Sequence, residues 1–100
     1  MATFRIEDSI VKTENASASW DEGTRWNGSN RISRATGSQW AHQTLYRSRR
    51  GRYYIVHSSQ WQGTLDHAEW VSPQEAARWL LENGREIPDD LLEHAESVTE

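Results

Sequence analysis

Trp40-Ala41-His42-Gln43-Thr44-Leu45-Tyr46-Arg47-Ser48-Arg49-Arg50-Gly51-Arg52-Tyr53-Tyr54-Ile55-Val56-His57-Ser58-Ser59-Gln60-Trp61 is the stretch from which the fold is read. Residues 40–48 and 53–61 are two strand-like runs rich in aromatic and β-branched residues. They are joined at Ser48-Arg49-Arg50-Gly51-Arg52, where Gly51 can take a positive φ, so the segment reads as a β-hairpin. A two-residue loop at Arg50-Gly51 makes partner numbers sum to 101 and sets Trp40 against Trp61. His42 and His57 then become diagonal neighbours on one face. A three-residue loop gives a different register and different pairs.

Working outward, Phe4, Ile6, Ile10 and Val11 mark short strands over 3–7 and 10–14, and residues 15–20 either continue the second or form a loop. Residues 24–38 are dense in Gly, Asn, Ser and Thr and read as irregular chain with a short strand near 31–34. C-terminal to the hairpin, Ser72-Pro73-Gln74-Glu75 is a capping-box helix start with Pro at the first helical position, and Asn83-Gly84 is a stop. Pro88-Asp89-Asp90 reads as the start of a second helix carrying Leu91, Leu92 and Ala95. The expected fold is therefore α+β: a single domain over 1–100, with an antiparallel sheet of about four to five strands over 3–71. Helices over 73–83 and 88–96 would pack on one face.

Leu, Ile, Val and Phe together number only 16 of 100 residues, but six Trp and three Tyr supply large apolar area, and the Trp are spread along the chain. There is no Cys, hence no disulfide and no thiolate metal site. No apolar run is long enough to span a membrane, and the polar, acidic start lacks the features of a secretory signal, so a cytoplasmic protein is expected.

The charge is arranged unevenly. Between Gly23 and Leu65 there is no Asp or Glu, and there are seven arginines: Arg25, Arg31, Arg34, Arg47, Arg49, Arg50 and Arg52. All 15 acids lie outside that segment, with four cations. A centre of +7 therefore sits between flanks summing to −11. Either the acids fold over the basic centre, or the centre faces an anionic partner.

The segments Trp26-Asn27-Gly28, Ala35-Thr36-Gly37-Ser38-Gln39-Trp40, Thr44-Leu45-Tyr46-Arg47, Ser59-Gln60-Trp61-Gln62-Gly63 and Glu75-Ala76-Ala77-Arg78-Trp79-Leu80 resemble a set found in small, uncharacterised bacterial proteins. The resemblance spans roughly residues 25–84. It implies a bacterial stand-alone domain and brings no activity or site residue with it.

The candidate working surface is the arginine and aromatic face of the hairpin. Arg47, Arg49, Arg50 and Arg52 are interleaved with Tyr46, Tyr53 and Tyr54, and guanidinium forks match phosphate geometry while aromatic rings stack on bases. Arg31, Arg34, Trp40, Tyr54 and Trp61 complete the candidate binding set. The expected role is a non-enzymatic binding or regulatory module for an anionic partner, nucleic acid first. The alternative is a protein-binding accessory factor with Trp40 and Trp61 as a hot spot, for which a homodimer is one arrangement. A third reading is a metal-independent ribonuclease with His42 and His57 as acid and base. No cofactor and no metal site is indicated.

Overall fold

The computed structural model describes residues 3–59 and 66–92. Its centre is a four-stranded antiparallel sheet in the order β3 (Ala18–Asp21), β6 (Ala41–Arg47), β7 (Tyr53–Ser59), β8 (His67–Val71). Two further hairpins stand apart from it as separate two-stranded sheets: β1 (Thr3–Ile6) with β2 (Ser9–Lys12), and β4 (Thr24–Asn27) with β5 (Asn30–Ser33). One α-helix, α1 (Pro73–Glu82), follows the last strand.

The β6–β7 hairpin is formed as expected, but in the other register. Partner numbers sum to 100, pairing Leu45 with Ile55, Tyr46 with Tyr54 and Arg47 with Tyr53. The cause is the turn. Gly51 N–H donates to Ser48 O (3.0 Å) and Ser48 N–H to Arg52 O (2.7 Å), with Gly51 at φ +87°. This is a three-residue loop, a turn followed by a left-handed glycine bulge, and not a two-residue one. The change of one residue reassigns every facing pair. The expected pairing of Trp40 with Trp61 falls on Trp61, which lies outside the described residues.

Both faces of the central sheet are covered. Tyr53, Tyr54 and Ile55 are consecutive in β7 and only 3%, 1% and 7% exposed. In a strand neighbours point to opposite faces, so no face of β7 is left to solvent. On one face Leu45, Tyr53 and Ile55 pack against Ala76, Ala77, Trp79 and Leu80 of α1. On the other, Tyr54 packs with Ile6 and Val11 of the β1–β2 hairpin, with Tyr46, Val56 and Trp70 around them. The layers are thus hairpin, sheet and helix.

Helix α1 follows its sequence signals closely. Ser72 Oγ accepts from Glu75 N–H and the Glu75 carboxylate accepts from Ser72 N–H, a complete capping box. At the other end Gly84 (φ +69°) and Arg85 donate back to Leu81 O and Leu80 O, a Schellman closure. The C-cap residue Asn83 is buried. Its Nδ2 donates to Trp79 O and its Oδ1 accepts from Gly23 N–H at 2.9 Å, fastening the β3–β4 connection to the helix end.

Three expectations are corrected. The α+β arrangement of one four- to five-stranded sheet under two C-terminal helices does not hold: the chain is mostly β, with eight strands in three sheets and one helix of seven or more residues among the described residues. The helix expected over 88–96 begins as a 3-10 turn at Asp89–Leu91 with Leu92 in helical conformation after it, and residues 93–96 lie outside the described residues. There Asp90 is engaged by Tyr53 and Arg47, and Leu91 is pinned in the core, so tertiary contacts hold the turn at Asp89–Leu91. The irregular stretch over 24–38 holds the β4–β5 hairpin, whose two-residue loop Gly28-Ser29 makes a tight turn with Gly28 at φ +66°.

Candidate anion-binding groove

The +7 centre is not neutralised as a block. Among the described residues, Arg47 is the one of the seven central arginines with a carboxylate within 4.0 Å: its Nε lies 3.2 Å from Asp90 Oδ2. Arg47 sits in the β6 row that faces α1. Its Nη1 donates to Ser17 Oγ (3.3 Å), and Tyr53, its cross-strand partner, donates its hydroxyl to the same Asp90 at 2.7 Å. Burial and that hydrogen bond hold the Tyr53 hydroxyl protonated far above its ordinary range. Arg47 is therefore a structural arginine, although it stands two residues from the turn.

Arg49, Arg50 and Arg52 lead elsewhere. The turn at 48–52 forms one wall of a groove of about 680 Å³, and the end of the β1–β2 hairpin, with Ile10, Lys12 and Asn15, forms the other. Tyr54 and Trp70 also line it. Four cations, Lys12, Arg49, Arg50 and Arg52, thus meet at one groove whose lining contains no Asp or Glu. Their separation in sequence is bridged by topology: the β1–β2 hairpin lies on the sheet face that carries Tyr54 and Trp70, beside β8.

Beneath the cations is an aromatic stack. Arg52 Cζ lies 4.0 Å from the Trp70 ring centroid, a cation–π contact that leaves the guanidinium N–H edges free. Trp70 meets Tyr54 edge-on at 5.8 Å between centroids, and Tyr54 stacks on Tyr46 at 5.3 Å. Tyr54 Oη and Trp70 Nε1 are both buried and have no hydrogen-bond partner among the described residues. Burial first, and the neighbouring Tyr46 second, raise the Tyr54 hydroxyl above its ordinary pKa, so it remains a donor.

Of the candidate binding residues, the structure brings together Arg49, Arg50, Arg52 and Tyr54. It places Arg47 on the opposite face. Arg31 is on β5 of the β4–β5 hairpin, across from the 70%-exposed Trp26. Arg34 lies next to Gly23 and Gly84, near the C-terminal end of α1. Trp40 is partly exposed just before β6. Lys12 and Trp70 belong to the groove and were not in the candidate set. No local pattern marks either, because their positions depend on how the first hairpin docks against β8.

The histidines are parted by the register. His42 pairs with Ser58 and Gln43 with His57, so His42 and His57 point to opposite faces. His42 Nδ1 is 2.8 Å from Glu22 Oε2. His57 is held on both ring nitrogens, by Gln43 (3.4 Å) and Glu69 (2.9 Å), and stacks on His67. Gln43 in turn accepts from Trp79 Nε1 at 2.9 Å, tying this chain of polar contacts to the helix. The two-histidine ribonuclease site is therefore not assembled. Among the described residues no helix is long and apolar enough to cross a membrane.

No protein-family model, curated protein or solved structure matches the chain, and the groove's own chemistry carries the functional reading.

Proposed function

We propose that this chain is a binding module for nucleic acid, and that the strand runs through the groove between the β1–β2 hairpin and the β6–β7 turn. The observation that carries the reading is the meeting of Lys12, Arg49, Arg50 and Arg52 at a groove without a single carboxylate in its lining. A cluster of like charges repels itself in the free protein, and each phosphate that enters relieves that repulsion while releasing counterions. Three of the four cations are arginines, whose forks match phosphate oxygens in pairs. The pairing of both candidate histidines with glutamates, on opposite faces, favours binding over catalysis.

The test is binding of a mixed oligonucleotide pool at salt concentrations from low to physiological. Four phosphate contacts give a log–log salt slope of about −3 to −4, the range set by roughly −0.7 per contact for single strands and −0.9 for duplex. Replacing Arg49, Arg50 and Arg52 together by Ala leaves a slope near −1. Absence of binding at low salt, or an unchanged slope in the triple variant, overturns the proposal.

A further inference from the structure

We infer that the floor of the groove is a seat for a phosphomonoester, formed by Tyr54 Oη, Trp70 Nε1 and the guanidinium of Arg52. On the nucleic-acid reading, from which this inference is built, its occupant is the terminal phosphate of a strand.

Tyr54 is 1% exposed, yet its hydroxyl has no partner among the described residues, and the same holds for the buried indole N–H of Trp70. A native fold rarely leaves a buried donor unmet, and these two unmet donors belong to rings in edge-on contact with each other. Both residues line the groove, and Arg52 lies directly over the Trp70 ring. Tyrosine contributes one O–H, tryptophan one N–H and arginine a fork of N–H groups, and the seat contains no obligate acceptor. That inventory suits an anion that accepts from several sides.

The choice of a monoester over a diester follows from shape and oxygen count. A phosphomonoester presents three terminal oxygens and one substituent, so it can enter a floor below the groove rim and meet three donor groups. A phosphodiester inside a strand has two free oxygens and chain on both sides, which suits the rim cations Lys12, Arg49 and Arg50. Arg52, stacked on Trp70, stands between rim and floor.

The experiment uses the full chain and three probes: inorganic phosphate, and a pair of identical oligonucleotides ending in a 5′-phosphate or a 5′-hydroxyl, with the 3′-phosphorylated form as a further arm. Phosphate binding is followed at the Trp70 indole N–H resonance, identified by its disappearance in Trp70→Phe. One phosphorylated form is expected to bind about tenfold more tightly than the hydroxyl form, the scale of a hydrogen bond to a charged group. In Tyr54→Phe that ratio falls toward one, while the free protein melts at the same or a higher temperature, because an unmet hydroxyl has been removed. Equal affinity for all ends refutes the seat and leaves the nucleic-acid reading standing. Phosphate binding at Trp70 without any oligonucleotide binding supports the seat and refutes the nucleic-acid reading. Binding of neither refutes both. A clear drop in melting temperature in Tyr54→Phe shows that the hydroxyl is already satisfied in the free protein, and refutes the seat.

Discussion

Arg47→Ala and Arg49→Ala, two residues apart in one arginine-rich turn, should have opposite phenotypes. Arg47 faces the helix side, with its Nε 3.2 Å from Asp90 and Nη1 donating to Ser17. The pair is well exposed, 37% for the Arg47 side chain and 45% for Asp90, so solvent screening keeps its worth near the top of the surface range at about 1 kcal/mol. For a domain of this size that lowers the melting temperature by about 4–8 °C. The salt slope of oligonucleotide binding should not change. Arg49→Ala breaks no ion pair or hydrogen bond among the described residues, so its stability should stay within about 0.5 kcal/mol of wild type while its salt slope shrinks by roughly 0.7–0.9. Circular dichroism melts and a salt series on both variants suffice. An Arg47→Ala protein that melts normally but loses slope would refute the assignment of these two arginines to different faces.

Three further outcomes follow from the packing. Gly23→Ala places a Cβ 2.5 Å from the backbone oxygen of Asn83, so the helix end or the β3–β4 connection must shift, at a cost of about 2–3 kcal/mol in urea unfolding; an unperturbed midpoint contradicts this fastening. Glu7 occupies a left-handed conformation (φ +56°) in the β1–β2 turn, so Glu7→Gly should raise stability by about 1 kcal/mol; a loss of stability would show that the carboxylate serves the turn. Tyr46, Tyr53 and Tyr54 have hydroxyl pKa values raised above the unfolded tyrosine value by burial, and for Tyr53 by the hydrogen bond to Asp90 as well. Above about pH 10 the unfolded chain releases these protons while the folded one retains them. Stability is thus intact below that pH and lost as pH rises, by up to about 1.4 kcal/mol per pH unit for each group. Tyr53→Phe should lower that slope by about a third in unfolding curves between pH 9 and 11, and an unchanged slope would remove Tyr53 from the account.

What could be read from the sequence was local and what could not was topological. The helix at Pro73–Glu82 was legible from Ser72-Pro73-Gln74-Glu75 and Asn83-Gly84 because caps act within a few residues. The β6–β7 hairpin was legible too, but its register hung on whether Gly51 was the second residue of the loop or the bulge after it, a choice that Ser48 and Arg52 decide through backbone hydrogen bonds. That Tyr53, Tyr54 and Ile55 are buried in succession, with both faces of β7 covered there, depends on what packs on each face. The β1–β2 hairpin supplies the second cover, and with it Lys12. Charge arithmetic singled out the seven central arginines as a group, but their places differ: Arg49, Arg50 and Arg52 lie in the connection that borders the groove, while Arg47 is the last residue of β6 and is paired with Asp90. The β4–β5 hairpin with its Gly28-Ser29 turn was hidden by the polar residues around it, whose composition matches both loop and turn.

The central claim is that Arg49, Arg50, Arg52 and Lys12 form one phosphate-binding groove. The most direct measurement is the log–log salt slope of oligonucleotide affinity for the wild-type chain and for the variant carrying Arg49→Ala, Arg50→Ala and Arg52→Ala. The account predicts about −3 to −4 for the wild type and near −1 for the variant, with melting temperatures that agree within a few degrees. Equal slopes in two equally folded proteins would contradict it.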